Sequence, residues 1–388
     1  MNRFIPYAQQ WIDNKDIESV VKVLKSDWLT TGPTVKAFEN IFAKYVGAKF
    51  AVAVSNGTAA LHAAAFVANI QNTNDEVIVT PMTFSASSNC VLYNNGKPIF
   101  ADINKKTYNI DINEIKAKIT KKTKAIIPVN YTGQPCDIDL INEIAKKHNL
   151  MVIEDASHAL GAKYKGKKVG SLCDMSIFSF HPVKHITTGE GGMITTNDKE
   201  LYEKLIMFRN HGITKNKEKF ISPNNEGWFY EQQFLGFNYR LSDINCALGI
   251  SQLQKINYFI NRRKEIVKKY NESFKEINNV TIPYQLENVD SSWHLYVLQI
   301  NLDKLKVNRT RIFNDLHSKK IGVQVHYIPI YFHPYYQQLG YKKGLCPNAE
   351  WLYERILSLP LFPKMKDGDV SYVIDEVKKT IEKYSIGC

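Results

Sequence analysis

The chain predicts an α/β fold: a large domain with a mostly parallel central sheet flanked by helices, followed by a smaller C-terminal α+β domain. Strand-like apolar runs alternate with helical patterns from about residue 15 to 200, as parallel sheets require. Beyond Leu241 the alternation gives way to a long helical stretch that opens a second region. At 388 residues the chain is long enough for both.

The apolar runs are Phe50–Val54, Val77–Thr80, Pro98–Asp102, Ala125–Asn130, Met151–Asp155, Met175–Phe180 and Gly192–Thr196. Between them, Thr58–Ala68, Asp111–Ile119 and Asp137–His148 repeat apolar residues at helical spacing. The last opens with Asp137 and Asp139 as candidate caps. No helix fits between 175 and 196, so one strand there is expected to run against the others. The second region reads as a helical stretch from Asp243 to about Phe274, a strand at Leu295–Ile300 and a helix near Arg309–Lys319. A strand at Val323–Val325 and a final helix near Val370–Tyr384 complete it. The predicted boundaries are an N-terminal arm over 1–14, a large domain over 15–250 and a small domain over 251–388.

Composition narrows the class. The apolar and aromatic content is that of an ordinary globular protein. No apolar run approaches a membrane span, and Met1–Pro6 lacks the apolar stretch of a signal peptide, so a cytoplasmic protein without membrane attachment is expected. Six cysteines at 90, 136, 173, 246, 346 and 388 show neither CxxC spacing nor clustering, which predicts reduced thiols and no metal site. The net charge of +12 is spread over helical polar faces such as Lys116–Lys124 and Lys264–Lys269, a solvated surface rather than a nucleic-acid site.

Ligands of such sheets collect at the carboxyl ends of strands. Asn56, Gly57 and Thr58, Phe84, Asp155 and Lys184 all fall at those ends or in the next loop. A lysine amine forms an imine with an aldehyde, and a carboxylate holds a pyridine nitrogen protonated. Val54–Leu61 turns from strand to helix through a glycine, and helix-start N–H groups can hold phosphate; it lacks the nucleotide P-loop pattern. Ser179 and Asn238 offer further polar groups. Phe84 could cover a ring face, and His158 could pack on the ring or bond its phenolic oxygen. Each residue alone has an ordinary structural reading: Asp155 as a helix cap, Phe84 as core, Lys184 as one solvated base among 50. Their joint placement, with the glycine-rich turn Thr187–Gly192, favours a pyridoxal phosphate (PLP) site.

Ser179-Phe180-His181-Pro182-Val183-Lys184 followed by Thr187-Thr188-Gly189-Glu190-Gly191-Gly192 resembles the lysine signature of nucleotide-sugar aminotransferases of the DegT/DnrJ/EryC1 type, within fold-type I PLP enzymes. The resemblance spans essentially the whole chain, including Ser26–Pro33, Glu154–Gly161, Gly236–Asp243 and Val323–Pro329. Ser157–Gly161 and Gln324–Tyr327 are most similar to members that act in the pseudaminic-acid pathway. The resemblance implies that Lys184 carries the cofactor, that Asp155 meets its ring nitrogen and that Phe84 and His158 flank it. Gly57, Thr58 and Ser179 would hold its phosphate, Asn56 would also bind the cofactor, and Asn238 would reach the phosphate site of a neighbouring subunit in a homodimer with shared sites. Tyr7, Trp28, Leu29, Thr30, His326 and Tyr327 would line the sugar-nucleotide pocket, with Gly57, Ser179 and Asn238 at its edge.

The implied reaction moves an amino group from L-glutamate to C4 of a UDP-linked 4-keto-6-deoxy-HexNAc. Another nucleotide-linked 3- or 4-keto-6-deoxy sugar is the nearest alternative. His185 and Ala8-Gln9 depart from common patterns and are expected near the sugar side. A PLP-dependent sugar dehydratase carries histidine in place of the imine-forming lysine, so Lys184 argues against one. A non-catalytic regulator would need a DNA-binding module for which the chain has no spare segment.

Overall fold

The computed structural model describes residues 3–224 and 226–386; Met1, Asn2 and Cys388 lie outside the described residues. Seven strands form the central sheet: β1 (Phe50–Val54), β2 (Glu76–Val79), β3 (Lys97–Phe100), β4 (Thr123–Ile127), β5 (Met151–Asp155), β6 (Met175–Ser179) and β7 (Gly192–Thr196). Their order is β1-β7-β6-β5-β4-β2-β3. All neighbours are parallel except that β7 runs antiparallel to both β6 and β1. That is the reversed strand expected between 175 and 196, and it arises because β6 and β7 are joined by a loop too short for a crossover helix.

The strands are buried on both faces, as a helix-covered sheet demands. Helix Gly57–Val67 lies against β7 and β6, and its run of alanines lets it approach the sheet closely. Helices Pro33–Val46 and Asp243–Gln254 cover the opposite side through Phe38, Phe42 and Cys246. The Asp243 carboxylate accepts from the backbone N–H groups of Gly32 and Thr34, both at 2.8 Å, and so caps the Pro33 helix with negative charge.

The expected helical stretch from Asp243 to Phe274 is two helices, Asp243–Gln254 and Ile256–Phe274, broken at Lys255. The Lys255 ammonium reaches Asp16 and Asp13. The second helix enters a separate core, where Val267, Tyr270 and Phe274 meet Tyr296, Leu298 and Ile300. A three-stranded antiparallel sheet supports this core: Val280–Thr281, Tyr296–Ile300 and Ile356–Leu359. The last strand was not expected. Val323–Val325, expected as a strand, makes only a single bridge at Gln324, whose N–H and carbonyl pair with Ser358 at 3.1 and 2.7 Å. Beyond that point the chain turns off toward His326. Asp137 occupies the N-cap position of Ile138–His148, but its carboxylate accepts from Tyr164 Oη at 2.7 Å instead of capping.

The N-terminal segment packs on this second core. Ile5 is fully buried and bridges Ile321, and the Tyr7 carbonyl accepts from Leu361 N at 3.0 Å.

Candidate active site

The carboxyl end of β5 fixes the first group. Alternation along the strand sends neighbours to opposite faces. Glu154 therefore turns away, accepting from Ser176 Oγ at 2.6 Å and Asn130 Nδ2 at 2.8 Å. Asp155 faces the other way and is buried. Its Oδ2 accepts from Ser87 Oγ at 2.6 Å and its Oδ1 from Ser157 N at 3.1 Å. No helix follows Asp155, so it is not a cap. No ion pair reaches it among the described residues.

Lys184 lies in the loop joining β6 to β7, in a turn closed by its N–H on the His181 carbonyl at 2.9 Å. Burial pulls its amine down to about 8, while the negative charge of Asp155 acts in the opposite sense. No hydrogen bond or ion pair engages its amine among the described residues. It borders a small cleft with Gln9, Trp11, His185, Gln252 and Phe259.

Around these two groups stands a wall of rings. Tyr327 Oη lies 3.0 Å from His158 Nε2, and His326 packs 5.3 Å from the Tyr7 ring. His326 Nδ1 lies 2.8 Å from Ser358 Oγ, and burial lowers its pKa to about 3. Phe84 is 61% exposed with its centroid 6.5 Å from that of Tyr327, so it is a free ring face and not a core aromatic. Behind His158, the tilted ring of His294 lies at 4.2 Å and His185 5.5 Å further on. Burial drives all three imidazoles well below their ordinary range and keeps them neutral. His185, expected near the sugar side, is buried against Ser292 O at 3.1 Å, because its ring turns inward from the loop. Arg263, fully buried beside this group, gives Nη1 to the carbonyls of Trp293, His294 and Leu361.

The third component is the β1 turn. Asn56 Oδ1 accepts from Ala59 N at 2.8 Å, capping helix Gly57–Val67 and leaving the N–H groups of its first turn at the sheet's carboxyl end. A Cβ on Gly57 would sit 3.0 Å from Ser179 Cβ, so glycine is what lets this turn lie against β6.

Asp155, Lys184, His158, Tyr7, His326 and Tyr327 are thus tied to one another by contacts or fields, and Asn56, Gly57 and Ser179 form a second group beside them. Thr58 lies half-buried in the first helical turn. Trp28, Leu29 and Thr30 stand on an exposed loop whose backbone contact runs from Leu29 O to Asp243 N. Asn238 is exposed on a segment bridged to Asn210, and its side chain makes no hydrogen bond within the chain among the described residues. Ser87, Thr83, His294 and Arg263 went unnoticed in the sequence. Only the spacing of Thr83 and Ser87, one helical turn apart beside Phe84, could have drawn attention to the first two.

Residues 10–378 match the sequence profile of the DegT/DnrJ/EryC1/StrS aminotransferase family. The chain belongs to this family. The aminotransferase is 42% identical to the spore coat polysaccharide biosynthesis protein SpsC of Bacillus subtilis, over 98% of each chain. It is 39% identical to the UDP-4-amino-4,6-dideoxy-N-acetyl-beta-L-altrosamine transaminase of Campylobacter jejuni, over 99% of each. Helicobacter pylori PseC, an aminotransferase involved in pseudaminic acid biosynthesis, superposes with a TM-score of 0.91 at 34% identity, covering 98% of this chain and 100% of that one. The PLP form of the sugar aminotransferase Spr1654 of Streptococcus pneumoniae gives 0.91 at 32% identity, covering 98% and 99%.

This aminotransferase is PLP-dependent and has the fold of the PLP transferases. The residues present fit the cofactor. An uncompensated buried carboxylate suits a protonated ring nitrogen, an unpaired amine of lowered pKa suits imine formation, and a helix start pressed on Ser179 suits a phosphate. Among the described residues no helix is long and apolar enough to cross a membrane.

Proposed function

We propose that this aminotransferase moves the amino group of L-glutamate to C4 of a UDP-linked 4-keto-6-deoxy-HexNAc in pseudaminic-acid-type surface-glycan biosynthesis. The observation that carries the reaction type is the partly desolvated Lys184 amine in the field of an Asp155 carboxylate that no cation neutralises. The choice of sugar is supported by the name of the Campylobacter relative. It is also supported by the wall of Tyr7, His326, Tyr327 and His158, whose rings offer apolar faces with polar tips to a ring bearing both a methyl and an acetamido group.

When bound, PLP supplies an aldehyde that condenses with amines and a ring that accepts the electron pair released at the donor Cα. With the cofactor bound, the Lys184 amine would serve as the general base that takes the donor Cα proton and then as the acid that returns it. A pKa near 8 leaves a useful free-amine fraction close to neutrality. Asp155 keeps the ring nitrogen protonated. Phe84 and His158 would contact the ring, and Asn56, Gly57, Thr58 and Ser179 would bind the phosphate. Asn238 of a second copy reaches the same phosphate, which makes the working unit a homodimer. Trp28, Leu29 and Thr30 complete the sugar-nucleotide pocket. In the second half-reaction the Lys184 amine would move the proton the other way, onto C4 of the sugar, and the two halves would give ping-pong kinetics.

The test is to incubate the PLP form with glutamate and a panel of UDP- and GDP-linked keto sugars, identifying products by NMR. A 4-amino UDP-HexNAc product is expected. Turnover confined to another sugar would overturn the substrate and leave the reaction type standing.

A further inference from the structure

The buried hydroxyls next to Asp155 form a chain with one direction. Ser87 Oγ lies 2.6 Å from Asp155 Oδ2, and a carboxylate only accepts, so the Ser87 proton is committed there. Thr83 Oγ1 lies 2.7 Å from Ser87 Oγ, so Thr83 must be the donor in that contact. Both hydroxyls are buried: Thr83 ends the turn after β2, and Ser87 stands in the first turn of helix Ala86–Tyr93. The other carboxylate oxygen accepts from Ser157 N at 3.1 Å. Asp155 is therefore held at both oxygens by neutral donors and at neither by a cation. Its plane is fixed while its charge is left whole.

We infer that Ser87, itself oriented by Thr83, is a positioning residue that sets the angle at which Asp155 meets the cofactor ring nitrogen. This rests on the reading that Asp155 faces that nitrogen. Neutral donors suit the task, since an ammonium or guanidinium in the same place would cancel the charge that keeps the ring protonated. Without the Ser87 hydroxyl the carboxylate turns, and the charge-assisted hydrogen bond to the ring nitrogen loses its alignment.

The experiment loads wild type, Ser87→Ala, Ser87→Thr, Thr83→Val and Asp155→Asn with ring-15N-labelled pyridoxal phosphate. It follows the nitrogen resonance from pH 6 to 10, with melting temperatures of the cofactor-free proteins. In Ser87→Ala the ring nitrogen is expected to lose its proton about one pH unit earlier than in wild type, a tenfold weaker hold. Ser87→Thr is expected to restore wild-type titration, and Thr83→Val to shift the same way by less. A hydroxyl that only damped the carboxylate charge would produce the opposite shift on removal. Hence an unchanged or raised midpoint in Ser87→Ala overturns the inference. If Ser87→Ala does not fold, Thr83→Val decides alone, and a midpoint equal to wild type overturns it. Asp155→Asn separates the two levels. If it titrates as wild type, the placement of Asp155 fails; if it shifts while the Ser87 and Thr83 variants do not, only the role of Ser87 fails.

Discussion

Tyr327 Oη lies 3.0 Å from His158 Nε2, and burial acts on the two rings in opposite senses. The phenol pKa is raised and the imidazole pKa driven well below its ordinary value, so both are neutral at any working pH. The phenol then donates to Nε2, and the network assigns the imidazole proton to Nδ1, which has no protein partner. The Tyr327→Phe variant should lose the phenol donor and free the imidazole tautomer. A fall in kcat/KM of about tenfold to a hundredfold is expected, with cofactor still bound. Steady-state kinetics with imidazole 15N shifts check both halves.

Replacing the lysine separates function from stability. Lys184→Met should abolish turnover and the borohydride-reducible imine, yet stabilise the cofactor-free protein by about 1–3 kcal/mol at pH 7, because it removes a partly buried charge. The sign follows from the lowered pKa. Below about 8 the amine is charged in both states and its burial penalty is present in full. From about 8 upward the folded state releases its proton first, so wild-type stability rises. The gap between the proteins should therefore close between about pH 8 and the unfolded lysine value near 10.4. Denaturant melts across that range test it, and a gap independent of pH would refute the desolvation account.

Asp155 opposes the burial of Lys184 and holds its pKa up. The Asp155→Asn variant should push the amine lower still. In cofactor-free protein, labelling of Lys184 by an amine-reactive probe, followed by peptide mass spectrometry, should show a midpoint near 8 in wild type and a lower one in the variant. A midpoint that rises or stays put contradicts the coupling.

Gly57→Ala isolates the helix-start turn. An alanine in a first helical turn is ordinarily neutral or stabilising, but here its methyl presses on Ser179 at 3.0 Å. Cofactor binding is expected to weaken by about tenfold in Kd while the cofactor-free melting temperature changes little, the former read by fluorescence titration. A parallel loss of stability would mean that the glycine serves packing alone.

The central sheet was legible because its strands are continuous apolar runs, and Met151–Asp155 showed in five residues both its burial and the carboxylate at its end. Lys184 and Gly57 were legible through local motifs at strand ends. Ser87 was not, since a serine in a short helix has no signature until the fold sets it against Asp155. Arg263 adjoins the basic run Lys264–Lys269 in sequence, yet it is fully buried, its Nη1 giving to the carbonyls of Trp293, His294 and Leu361. The strand Ile356–Leu359 escaped because four residues, Ile-Leu-Ser-Leu, following a helix are too few to show a period of their own. Trp28, Leu29 and Thr30 were proposed from the resemblance alone, and within one chain they and Asn238 face solvent.

The docking of the N-terminal arm sets an order of events during synthesis. Ile5 and Tyr7 leave the ribosome more than three hundred residues before their backbone partners Ile321, Lys320 and Leu361. At translation rates of about 5–20 residues per second the arm waits roughly 20–70 s for that surface to exist. The wall of rings that contains Tyr7 and His326 is therefore assembled only after the segment around Leu361 has been made. An N-terminal fusion that hinders this late docking should leave the PLP end of the sheet intact and disturb only the wall.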